Sequence, residues 1–174
     1  MRSERIVVLL LAASCSLLAC TKTELPPPQP QPEAAPVSAP SIAVEEGPHI
    51  FLPDGYAVRV ELAADNDTRA QGLMFRDRLP AGTGMIFLFT ETGDYPFWMK
   101  NTLIPLDMIW IDDQKRIAAI IPDVPPCKAD PCPSYPPNAP ARYVLELAAG
   151  EAKKHNLAVG QTLRFEGMDH VIVR

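Results

Sequence analysis

Apolar residues recur along this chain at the spacings of strands more often than of helices. Tyr56, Val58, Val60 and Leu62 alternate with Arg59 and Glu61, which predicts a strand with one face buried and one in water. Residues 85–89 form an uninterrupted apolar run, short enough for a buried strand. Residues 106–111 form another, broken by Asp112-Asp113-Gln114 before residues 116–121, and this pair predicts a hairpin. Tyr143, Leu145 and Leu147 alternate around Glu146 and predict a further strand, while residues 162–166 and 170–173 predict a closing hairpin about Gly167. Two short helices interrupt the pattern. Thr68-Arg69-Ala70-Gln71 has the form of a capping box, with Asp65 and Asp67 near the positive helix end, and predicts a helix through Met74. Residues 149–156 predict the second, with Lys153, Lys154 and His155 near its negative end. The expected fold class is mainly β: a single β-sandwich or jelly-roll-like domain over residues 48–174, with one or two short helices.

The first 47 residues follow different rules. Arg2 and Arg5 precede an apolar run over residues 6–19 that is too short to span a bilayer, as a signal peptide would be. The run ends in Leu17-Leu18-Ala19-Cys20, which resembles the bacterial lipobox, so residues 1–19 are expected to be removed and Cys20 lipidated. Several acyl chains would anchor the protein without a transmembrane helix. Thr21 follows the cysteine, and resemblance to the usual sorting pattern favours the outer membrane. Seven prolines lie between Pro26 and Pro40, so residues 20–47 read as an extended tether that buries no core. The expected setting is the cell envelope, facing the periplasm.

Composition narrows the partners. The net charge is −5, and no Lys/Arg cluster could neutralise a run of phosphates, which disfavours nucleic acid. Membrane contact would come through the lipid anchor alone. Once Cys15 leaves with the signal and Cys20 is acylated, Cys127 and Cys132 remain, and an oxidising compartment makes them a disulfide. Their Pro-rich, non-helical setting favours a structural bridge over a thioredoxin-type redox motif.

From Gly72-Leu73-Met74-Phe75-Arg76 onward, the chain resembles the domain-of-unknown-function family 192 (DUF192). The likeness runs through Phe97-Trp98-Met99-Lys100-Asn101-Thr102, Ile104-Pro105-Leu106-Asp107-Met108, Cys127, Cys132-Pro133 with Tyr135, and Tyr143-Val144-Leu145-Glu146. It implies a mostly β, sandwich-like fold usual in secreted or envelope proteins, and implies no reaction.

Three charges stand inside apolar sequence: Lys100, Asp107 and Glu146. Isolated buried ions are costly, so these side chains either emerge on polar faces or meet. The expectation is that Lys100 pairs with Asp107 or Glu146 beside Trp98 and Asn101. Such a pairing would be a structural ion pair or the polar part of a ligand pocket, to which Tyr135 could add a wall. No nucleophile elbow or metal-ligand spacing is present, and His49, His155 and His170 are scattered along surface or strand-end positions. No cofactor or metal is expected. The favoured function is a non-catalytic binding or accessory module for a small polar ligand or an envelope protein. The alternatives are a periplasmic hydrolase using paired carboxylates, and a structural or assembly partner without a small ligand.

Overall fold

A computed structural model describes residues 47–174, and the expected signal segment, Cys20 and most of the expected tether lie outside the described residues. The elements, in chain order, are β1 (His49–Phe51), β2 (Ala57–Ala63), α1 (Asn66–Gln71), β3 (Thr83–Gly93), β4 (Phe97–Trp98), β5 (Leu106–Ile111), β6 (Ile117–Val124), β7 (Ser134–Tyr135), β8 (Ala141–Ala148), α2 (Glu151–Lys154) and β9 (Arg164–Glu166). Seven strands form one mixed sheet in the order β6-β5-β8-β3-β2-β1-β9, and β4 and β7 make a separate ribbon. The fold is mainly β, as the pattern predicts. The sheet curls without closing into a barrel: Ile117 N–H donates to the Gln161 carbonyl and Leu163 N–H to that of Lys115, at 2.8 and 2.9 Å.

Both faces of this sheet are covered, and the side-chain period of two divides the core accordingly. Ile86 and Leu88 of β3, Ile109 and Ile111 of β5, and Leu145 and Leu147 of β8 pack on one face. Met85 and Phe87, Met108 and Trp110, and Val144 from the same three strands pack on the other. Full burial of such side chains contributes about 1.5–3 kcal/mol each. All six residues of β5 are buried, which is why it reads as a continuous apolar run rather than an alternation. On the second face, Trp110 donates its indole N–H to the Tyr95 carbonyl at 2.8 Å, which draws the β3–β4 connection over the sheet.

Three local expectations change. The capping box begins at Asp65, whose side chain accepts from Thr68 N–H at 2.9 Å while the Thr68 hydroxyl oxygen accepts from Asp65 N–H. α1 then ends at Gly72, where φ of 47° suits glycine and an added Cβ would meet the Phe87 ring at 3.2 Å. The closing hairpin does not form. β9 pairs with β1 instead, and residues 170–173 run as irregular chain along the edge of the core, with Val171 and Val173 packed on it, until Arg174 N–H bonds the Ala64 carbonyl. His155 is no surface residue: at 7 % exposure it stacks on Tyr56, with centroids 4.2 Å apart, and its Nδ1 lies 2.7 Å from Asp54.

Candidate functional site

The one parallel pairing among the described strands, β2 with β3, requires a crossover, and α1 supplies it. α1 and the turn that follows it stand over the second face of the sheet, opposite the β4 ribbon. Between them lies a cleft in two connected parts that share Arg69, Ala70, Phe87, Phe97 and Trp98. The inner part is a cavity of about 30 Å³, room for a water-sized group, and Glu146 and Thr102 lie along it. The outer part holds about 250 Å³ against Phe89, Tyr95 and Pro96.

Glu146 arrives in the cavity by register. On β8 it lies opposite Met85 of β3 on one side and Met108 of β5 on the other, so it shares their covered face. It is 4 % exposed. Removal from water, with no bonded partner among the described residues, pushes its carboxyl up to about 8. Gly84 makes this packing possible, because a Cβ there would meet the Glu146 carbonyl oxygen at 2.7 Å. The backbones of β3 and β8 therefore approach more closely than any side chain at that position would allow.

Trp98 and Lys100 stand at the mouth. Trp98 is half exposed, held in the ribbon by its pairing with Ser134. A tight turn follows, closed by Thr102 N–H donating to the Met99 carbonyl, with Asn101 at φ 55°. Asparagine tolerates this left-handed conformation better than most residues. The turn returns the Lys100 ammonium over the Trp98 ring, 5.4 Å from its centroid. Asn101 itself is a latch. Its carbonyl accepts from Phe75 N–H at 2.8 Å and its amide reaches the Met74 sulfur at 3.8 Å, joining the turn after α1 to the turn after β4.

The expected residues therefore separate. Trp98, Lys100 and Glu146 border the same cavity, and Asn101 braces its rim. Tyr135 backs the ribbon through its pairing with Phe97 and packs against the second-face core. Asp107 is elsewhere. It is fully buried and accepts from Asp123 N–H at 2.8 Å and Ala152 N–H at 2.7 Å, so it ties β6 and the start of α2 to β5. The expected ion pair of Lys100 with Asp107 or Glu146 is not made among the described residues. Nor is a carboxylate pair assembled, since Glu146 alone contributes a carboxyl to the cavity.

Sequence reading missed Arg69, which forms one wall. Its guanidinium is committed to carbonyls and an amide: Leu88 at 2.9 Å, the Asn66 side chain at 2.7 Å, and the Arg174 carbonyl. Phe87 and Phe97 were likewise outside the expected set, although they meet edge to face at 4.8 Å beneath the cleft. Cys127 and Cys132 are disulfide-bonded as expected, with Cα atoms 5.6 Å apart. No group of three or more metal-ligating side chains occurs among the described residues, and none of their helices is long and apolar enough to cross a membrane.

Comparison with known proteins gives this architecture a family. The DUF192 profile, described as an uncharacterized ACR, matches residues 50–165, from within β1 to within β9. A protein from Sinorhizobium meliloti 1021, proposed as a transcription regulator, is 36 % identical; the match covers 69 % of this chain and 92 % of that one, with a TM-score of 0.61. A protein of unknown function from Novosphingobium aromaticivorans DSM 12444 is 30 % identical over 78 % of this chain and 99 % of its own, also with a TM-score of 0.61. No curated protein matches. The profile match takes in the cleft walls, the Lys100 turn and Glu146, and the chain belongs to the DUF192 family.

Proposed function

We propose that this protein is a lipid-anchored envelope module that binds a small polar ligand in the cleft between α1 and the β4 ribbon. The observation that carries this reading is the carboxyl of Glu146, unbonded among the described residues and open to a cavity whose mouth holds Trp98 and Lys100. Burying a polar group without a partner opposes folding, and a core that served stability alone would be better filled by an apolar side chain there. An aromatic wall with a few convergent polar groups is the usual make-up of a small-ligand site.

The rival hydrolase reading draws nothing from the cleft, because its second carboxylate, Asp107, is bonded into the scaffold. The regulator role proposed for the S. meliloti protein is not carried over, since a chain of net charge −5 is poorly suited to a phosphate backbone. Membrane attachment through Cys20 belongs to the same proposal. A Cys20→Ser variant should lose acyl labelling and leave the membrane fraction, and retention of both would refute the anchor.

The binding reading is tested by a thermal-shift screen of the full chain in mild detergent against envelope sugars, peptidoglycan fragments and short peptides. A ligand at a hundred times its Kd adds about 2.7 kcal/mol, which moves Tm by several degrees. The expected result is a hit that Trp98→Ala abolishes without unfolding the domain. Hits that survive that change unaltered would place the site elsewhere.

A further inference from the structure

The cleft also states what its ligand must offer. Glu146 can accept hydrogen bonds through two oxygens, and nothing among the described residues donates to either. The two cations bordering the cavity do not make it an anion site. Arg69 has already turned its guanidinium to Leu88, Asn66 and Arg174, and Lys100 lies at the mouth over Trp98 rather than against the carboxyl. From the strands beneath, Phe87 lines the cavity beside Glu146, and the residues that flank Glu146 in register, Met85 and Met108, carry no charge.

Resting on the pocket reading above, we propose that the inner cavity receives an organic ammonium group, carried on an apolar or flat body that lies along Phe97 and Trp98. An ammonium is the compact group that donates up to three hydrogen bonds, so one such tip can serve both carboxyl oxygens. An inner space of about 30 Å³ admits that tip and no ring, whereas the outer space of about 250 Å³ takes the body. The Trp98 face already attracts a cation, the chain's own Lys100 ammonium. In the empty site Lys100 acts as a placeholder over the ring that an incoming ammonium passes.

Binding then moves a proton. Below about pH 8 the empty site holds Glu146 protonated. When the ammonium seats, the carboxyl gives its proton to the buffer and the carboxylate pairs with the cation, so charge and atoms balance without a further reactant. The charged or titratable side chains facing this exchange are Arg69 from α1, Lys100 from the turn after β4, and Tyr95 at the outer end of the cleft.

Three matched probes decide the matter: phenethylammonium, phenethyl alcohol and phenylacetate, titrated calorimetrically into the full chain in two buffers of different ionisation enthalpy. The ammonium should bind at least about tenfold more tightly than either of the others. It should release a proton below pH 8 and bind more tightly as the pH rises toward that value. Lys100→Met should strengthen its binding severalfold by removing the competing cation. Glu146→Gln, which keeps the shape and should fold, should erase the preference and the proton release. Equal or tighter binding of the alcohol or the carboxylate would leave the pocket standing and overturn the ammonium assignment, as would Lys100→Met weakening the ammonium. Failure of all three probes at millimolar concentration would overturn the pocket reading as well.

Discussion

Unfolded, the Glu146 carboxyl titrates near its ordinary value of 4.5; folded, it holds its proton up to about 8. Between those two values the native state keeps a proton that the unfolded state has released, so stability must fall as the pH rises. The slope is at most about 1.4 kcal/mol per pH unit, it flattens above pH 8, and the contribution of this group is fully present below pH 4.5. Urea denaturation from pH 5 to 8 should show this decline in the wild type and a nearly flat profile in Glu146→Gln. Asp54 acts in the opposite sense. Its bond to His155 holds its carboxyl below the ordinary range, so its contribution is present at neutral pH and lost as the pH falls through that lowered value. Asp107 is buried like Glu146 yet satisfied, and its loss should be costlier. Asp107→Ala strands two backbone N–H groups and should destabilise by roughly 3 kcal/mol, measured by the same denaturation. The sequence marks all three charges inside apolar runs as unusual. What it lacks is the depth that makes one a scaffold acceptor, another an acid without a bonded partner and the third, Lys100, a partly buried cation.

At the scale of elements, the legible parts are those whose pattern is local. β2, the β5–β6 hairpin and β8 follow directly from period-two alternation or continuous apolar runs. The two-residue ribbon of β4 and β7 carries no period at all, and its partners lie far apart in the chain, Phe97 with Tyr135 and Trp98 with Ser134. The cleft wall it builds was for that reason invisible, apart from Trp98 and Tyr135. β8 shows a subtler limit. Alternation around Glu146 suggests that it faces water, but α1 and the ribbon cover that face, and coverage is a property of distant segments. The disulfide bears on the same wall, since Cys132 lies two residues before Ser134, the partner of Trp98. Replacing both bridge cysteines by serine should cost about 2 kcal/mol through the short loop it closes. It should also broaden the Trp98 indole resonance in NMR spectra more than that of Trp110, which is buried and bonded to Tyr95.

For the described domain as a whole, one sheet separates two apolar layers, and β3, β5 and β8 contribute side chains to both. Neither layer can come apart while the other keeps its strands in register. Tryptophan emission reports the second face alone, because Trp98 and Trp110 both belong there. Far-UV circular dichroism reports the whole sheet. The two transitions should therefore coincide in thermal or urea unfolding, with the same midpoint and steepness. A tryptophan change that precedes the loss of strand signal would mean that the cleft side opens independently.

The position of β8 has a consequence for how the protein is made. β3 and β5 never pair with each other; β8, which comes later in the chain, is inserted between them. Until Ala141–Ala148 has emerged, the growing polypeptide has a vacancy at the centre of its sheet and cannot complete either layer. If the chain is threaded through a membrane pore, as the proposed envelope address requires, this order suits the journey. A polypeptide that cannot finish its sheet early stays slack enough to be threaded, and folds where its central strand is delivered.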